Sequence, residues 1–144
     1  MIDVRWCKLS VIETPFSPMS TTTLFRPVGP AELKLIEDTG WKAFPPRLSD
    51  QPIFYPVLNE GYAIQIARDW NVPASGSGYV TRFEIDSAFV ARYPKKIVGG
   101  REHEELWVPA EDLDEFNRHI VGVIEVTRAF VADGEVPTQQ VIAE

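Results

Sequence analysis

The sequence predicts an α+β domain built on a mixed or antiparallel sheet. Three observations lead there. Short runs rich in β-branched and aromatic residues cluster toward the C-terminal half instead of alternating strictly with helices. The helical patterns between them are brief and end at Gly or Pro. No strand leads into a G-x-G-x-x-G or Walker loop, which excludes a doubly wound nucleotide fold. With 144 residues the chain fits one core.

Residues 1–21 read as an N-terminal arm. Val4, Trp6, Leu9 and Val11 allow a short edge strand, but Pro15, Pro18 and the Ser/Thr cluster sustain no period. The domain proper spans 22–132, and 133–144 reads as a polar tail. Thr22–Val28 is its first strand. Pro30 opens a helix, where its missing N–H does no harm. Leu33, Leu35 and Ile36 form the apolar stripe of that helix, and Gly40 supplies a left-handed stop.

Trp41–Pro52, with Pro45, Pro46 and Pro52, is a stiff loop. In the strand Ile53–Val57, Pro56 demands an edge or an end. Asn59 caps a helix over Glu60–Trp70, whose apolar face is Tyr62, Ala63, Ile66, Ala67 and Trp70. Val72–Gly78 reads as a mobile loop. Tyr79–Asp86 alternates, with Tyr79, Thr81, Phe83 and Ile85 on one side. Asp86 or Ser87 caps a turn through Tyr93, and Lys95–Val98 is another short strand. Leu106–Val108 follows, then an acidic helical turn over Ala110–Asn117. The longest strand is Ile120–Phe130, with Val121, Val123, Val126 and Phe130 as its apolar content. His119, just before it, is assigned a structural place.

Net charge is −7, from 14 basic and 21 acidic residues. That balance argues against nucleic acid, which needs a basic face to displace counterions. Cys7 is alone, and with two histidines neither a disulfide nor a Cys or His zinc site is expected. No segment reaches the roughly 20 apolar residues of a membrane span, and the N-terminus lacks the layout of a secretory signal. A cytoplasmic protein without membrane partners is the expectation.

The segment Arg101-Glu102-His103-Glu104-Glu105-Leu106-Trp107-Val108-Pro109 stands out. Alternation along a strand puts His103, Glu105 and Trp107 on one side and Glu104, Leu106 and Val108 on the other. A carboxylate entering a half-buried strand costs free energy unless something requires it there. Trp41, Trp70 and Trp107 are read as packing residues.

Together these pieces resemble the ADP-ribosyltransferase fold: a strand ending Leu-Phe-Arg, a helix, a strand with Phe-Tyr, a helix beginning Asn-Glu-Gly-Tyr-Ala and a late Glu-Leu-Trp-Val-Pro strand. Small bacterial proteins labelled "ADP-ribosylation/crystallin J1-like" are similar. The resemblance covers residues 22–130 and implies a mixed or antiparallel split sheet with short helices. It also implies NAD as a substrate, with three strand positions around it. Arg26 matches the cation of the opening strand, Tyr55 the middle-strand position, and Glu105 the catalytic acid opening a late strand. In the arginine-modifying branch a Glu or Gln stands two residues before that acid; His103 is here instead, which counts against arginine as acceptor.

The chemistry can be stated for these residues. Breaking the nicotinamide–ribose bond builds positive charge on the ribose, as in glycoside cleavage, and the Glu105 carboxylate would stabilise that charge as it appears. Arg26 would hold the pyrophosphate. Tyr55, with Tyr62 in reserve, would stack on nicotinamide. His103 would bond a ribose hydroxyl or orient the acceptor. The implied activity is transfer of ADP-ribose to an unidentified acceptor, a protein among the candidates, or hydrolysis of NAD. The alternative is a non-catalytic ligand- or protein-binding domain on the same fold, which gains weight if Arg26 and Glu105 lie on different sides of the sheet or if Trp107 or the arm fills the cleft. A phosphate-directed transferase acting on RNA ends is a third option, and the acidic balance counts against it.

Overall fold

The computed structural model describes residues 20–47, 50–97, 103–138 and 140. Most of the expected arm, Val98 to Glu102 and the last residues of the chain lie outside them. The fold is mixed α and β, with antiparallel sheets and a few short helices.

Alternation in β1 (Thr21–Val28) buries Leu24, Arg26 and Val28. The strand pairs along its whole length with β3 (Ser77–Asp86), from Thr21 opposite Asp86 to Val28 opposite Tyr79. On its other side β3 meets β7 (Ile120–Val131), and β7 turns back into β8 (Gly134–Val136), so the main sheet runs β1-β3-β7-β8. The polar tail expected from residue 133 therefore begins with an edge strand, solvent-exposed throughout.

Successive residues of β1 serve two cores, as the pleat requires. Leu24 joins Phe83, Ile85 and Ile124 in the larger one, which Ile36, Trp41, Phe44, Phe54 and Phe116 complete. Phe25 packs against the smaller, where Val80 and Phe130 meet Ala63, Ala67 and Val57. The β7 contribution differs from simple alternation. Ile124 is fully buried and Val121 exposed. Gly122, at φ +80°, lies in a stretch where the β3–β7 register slips. A bulge resets which face each later residue occupies. A second slip around Thr127 carries Phe130 to the smaller core.

The helices are shorter than the patterns predict. In α1 (Pro30–Asp38) Ile36 is buried while Leu35 is half exposed, so the stripe excludes Leu35. Gly40 (φ +76°) and Trp41 (φ +66°) both turn left-handed, and burial of the Trp41 side chain holds that costly backbone in place. Asn59 caps α2 (Glu60–Ile66), its Oδ1 accepting from Tyr62 N at 3.0 Å. The helix then widens into a π-turn (Ala67–Asn71) and closes as α3 (Val72–Ser75). The extra residue of the π-turn rotates Trp70 off the apolar face, leaving it 70% exposed. The segment expected as a mobile loop is thus helix and strand.

Asp86 caps α4 (Ser87–Val90), accepting from Ala88 N at 3.3 Å. His119 stacks on Phe89 with ring centroids 4.0 Å apart, a structural place. A 3-10 turn (Ala110–Asp112) and α5 (Leu113–Arg118) form the acidic helical segment.

The remaining strands place the site. β2 (Ile53–Phe54) pairs with β6 (Val108–Pro109), and β4 (Lys95–Ile97) with β5 (Glu104–Leu106). Val57 bridges Phe25 on one side and Glu105 on the other. Phe54–Val108 and Val57–Glu105 share one register, so residues 53–57 and 105–109 form a single antiparallel ladder, interrupted where Tyr55 faces Trp107. Pro56, lacking an N–H, makes that interruption, while its carbonyl still accepts from Leu106 N at 2.8 Å.

The π-turn seats directly on β3. A Cβ on Gly78 would overlap the Ala67 carbonyl oxygen and lie 2.8 Å from Asn71 Cβ. Gly78→Ala should therefore destabilise the fold by about 2–4 kcal/mol, read as a lowered urea midpoint with an unchanged slope.

Candidate functional site

The interrupted ladder presents Tyr55, Val57, Glu105 and Trp107 on one face and buries Phe54, Pro56, Leu106 and Val108 on the other. Those four residues of the first face, of which Val57 is itself buried, line with Arg26, Pro27 and Ile66 a cleft of about 350 Å³. Arg26, Tyr55 and Glu105 therefore reach one cavity from three remote segments.

They reach it from different directions. Phe25 stands opposite Val57, so alternation puts Arg26 on the face opposite Glu105. Among the described residues, Phe25–Val57 is the only pairing between β1 and the 53–57 segment. Arg26, buried at 8% exposure, is nonetheless part of the cleft lining.

The environment of Arg26 differs from that of an open clamp. It is 8% exposed. Its Nε and Nη2 donate to the two carboxylate oxygens of Glu32 at 2.7 and 3.0 Å, and its guanidinium lies 4.7 Å from the Phe54 ring centre. Two of its five N–H donors are thus committed within the protein.

Glu105 is half-buried and held by donors. Trp107 Nε1 donates to Oε1 at 2.9 Å, and the Tyr62 hydroxyl approaches Oε2 at 3.5 Å, the limit of a hydrogen bond. Because residues i and i+2 share a strand face, Trp107 is the nearest fixed donor this acid could have. Burial, then the charge and hydrogen bond of Glu105, push the Tyr62 phenol above its ordinary value. The phenol stays protonated, and a donor, at neutral pH.

Tyr62 and His103 do not line the cleft. His103 stacks on the Tyr62 ring, centroids 4.3 Å apart and planes 14° from parallel. Tyr62, named as the reserve for stacking on nicotinamide, directs its hydroxyl at Glu105 and sets its ring against His103. The aromatic pair at the cleft is Tyr55 with Trp107, edge to face at 5.8 Å. Tyr55 is 37% exposed and Trp107 41%, so both offer free surface. Lys96 Nζ lies 5.4 Å from the Trp107 ring centre.

Sequence reasoning missed three participants. Trp107 was read as packing, although its shared face with Glu105 was the available signal. Glu32, six residues after Arg26, carried no signal of a partner across the turn. Arg47, inside the Pro-rich loop, lies close enough to Arg26, Glu32 and Tyr55 to feel their charges. Desolvation first, then the Arg26 charge, push its guanidinium below its ordinary value.

Among the described residues, no group of three or more His, Cys, Asp or Glu side chains is placed to hold a metal ion. No helix among them is long and apolar enough to cross a membrane. No family model, curated protein or solved structure matches the chain.

Two measurements test this geometry. Arg26→Gln and Glu32→Gln should each destabilise by about 2–4 kcal/mol, because each leaves a covered charge alone, while the double variant loses less than the sum. Urea denaturation of all four proteins gives the coupling, and additivity would mean the pair is idle. In Glu105→Gln the Tyr62 titration should move down toward 10.0 without reaching it, since burial remains. The 13Cζ shift of that tyrosine, followed as pH rises, reports the change.

Proposed function

We propose that the cleft binds NAD and that the chain is an ADP-ribosyltransferase-like protein, which transfers ADP-ribose to an acceptor or hydrolyses NAD. One observation carries this reading: Arg26, Tyr55 and Glu105, remote in sequence, line the same cavity.

The residues have the chemistry such a reaction needs. Glu105 has both oxygens oriented by donors, so its remaining lone pairs are fixed in direction before a ligand arrives. A pre-oriented carboxylate stabilises positive charge on a ribose without reorganising as that charge forms. Tyr55 and Trp107 provide flat apolar surface for a nicotinamide ring. Apolar Val57 and Ile66 beside them keep water from competing for the carboxylate. The volume is at the small end for ligand sites. It suits the reactive end of a dinucleotide, with the remainder along the mouth.

A second reading, a non-catalytic binding domain, also has an observation behind it. Arg26 springs from the opposite face to Glu105 and is already committed to Glu32. A cleft whose cation is neutralised internally could hold a ligand without reacting with it.

Glu105→Gln separates the two. Isothermal calorimetry should give NAD affinity within about threefold of the parent, while nicotinamide release falls at least about a hundredfold. Parent protein that binds NAD and releases no nicotinamide supports the binding domain. A folded parent with no calorimetric signal for NAD rules out both uses of the dinucleotide.

A further inference from the structure

Of the seven described residues that line the cleft, Arg26 and Glu105 carry charge, and the protein treats the two differently. Arg26 donates to both carboxylate oxygens of Glu32, so its charge is compensated within a covered pair. Glu105 is held by Trp107 Nε1 at 2.9 Å and approached by the Tyr62 hydroxyl at 3.5 Å. An indole and a phenol are neutral donors, and they orient the carboxylate without cancelling its charge.

Two aromatic walls meet beside this acid. The rings of Tyr55 and Trp107 stand at 88° to each other with centroids 5.8 Å apart, and they form a corner of the cleft lining. The face of an aromatic ring is the negative part of its quadrupole and attracts a cation, that of Trp most strongly. Trp107 shows this property within the protein. Lys96 pairs with Glu105 across β4 and β5, so the two side chains share a face, and Lys96 Nζ lies 5.4 Å from the Trp107 ring centre.

From this we infer that the cleft selects the positive end of its ligand, an organic cation of ring size held between Tyr55 and Trp107 beside Glu105. The inference deepens the nicotinamide reading by naming the charge state the cleft takes, and rests on it only for the identity of the dinucleotide. The pyridinium ring of NAD is such a cation, whereas the ring of the reduced dinucleotide is neutral. Because Glu32 compensates Arg26, the guanidinium does not offset the attraction of Glu105. Apolar Val57 and Ile66 in the same lining let that attraction act with less screening than at an open surface.

The test compares 1-methylnicotinamide, a pyridinium cation, with neutral nicotinamide by isothermal calorimetry on the full chain. The cation should bind at least about fivefold more tightly. Tyr55→Leu keeps an apolar wall but removes a π face, and it should at least halve that ratio, whereas loss of packing alone would weaken both ligands alike. Lys96→Gln removes a like charge beside the corner, and should tighten 1-methylnicotinamide about two- to threefold with nicotinamide unchanged. Equal affinities in the parent, a ratio that Tyr55→Leu leaves unmoved, or a Lys96→Gln effect shared by both ligands overturns the inference. If Tyr55→Leu does not fold, the parent ratio and Lys96→Gln decide. The two readings fail separately. Preference for the cation without NAD binding keeps this site and removes the dinucleotide. Equal affinity for the oxidised and reduced dinucleotides keeps the dinucleotide and removes the selection of charge.

Discussion

The site depends on Val57 being bonded on both sides. Its N–H and carbonyl exchange bonds with Phe25 at 2.7 and 2.8 Å, while Leu58 N donates to Glu104 O at 3.1 Å and Leu106 N to Pro56 O at 2.8 Å. Each such bond contributes only about 1 kcal/mol net, yet leaving any buried partner unpaired would cost more. These bonds are what join the main sheet to the strands that carry Glu105. Without them Arg26 and Glu105 would belong to separate sheets with no fixed distance between them. Pro56 is integral to the arrangement. It ends the ladder with β6 at the point where the chain must turn to β1, and the resulting gap is where Tyr55 and Trp107 face each other.

The cleft lies on the face of this interrupted ladder that carries Tyr55, Glu105 and Trp107. Tyr55 and Trp107 cannot bury their rings against a neighbouring strand, so they pack edge to face and keep part of their surface open. Trp107 then has a free indole N–H at the rim and spends it on Glu105. The carboxylate is steadied by the same residue that walls the cleft. His103 contributes further out, by holding the ring of Tyr62. Through that stack it fixes the plane of the ring whose hydroxyl approaches Glu105.

Much of the architecture was legible because local chemistry specifies it: the Asn59 cap, the Gly40 stop, and the Pro56 break each act within a few residues. The alternation of His103, Glu105 and Trp107 likewise anticipated a shared face. What escaped sequence reasoning depends on phase. Gly122 looks like any glycine in a strand, but as a bulge it exchanges Val121 for Ile124 as the buried residue. The π-turn does the same to Trp70, and its cause is a glycine seven residues beyond the turn, Gly78, which lets β3 close on Ala67. At the site, Arg26, Tyr55 and Glu105 were singled out because their residue types fit a resemblance. Glu32 and Arg47 were not, since only folding brings them to Arg26.

Electrostatics explains why buried guanidinium groups matter in so acidic a chain. At a net charge of −7 the protein repels an anion at long range. Physiological salt screens that repulsion beyond about 8 Å. Inside that distance local groups decide, and here they are unequal. Glu32 neutralises Arg26 with the geometry of a bidentate pair, while Glu105 is turned to Trp107 and Tyr62. At Arg47, Nε is covered and has no hydrogen-bond partner among the described residues, while Nη2 donates to Gln51 Oε1 at 3.1 Å. Interactions there are stronger than on the surface, because the surrounding medium responds less. Pairing Arg26 with Glu32 neutralises that guanidinium where it packs 4.7 Å from the Phe54 ring centre, so the cleft wall carries a compensated pair and not a bare buried charge.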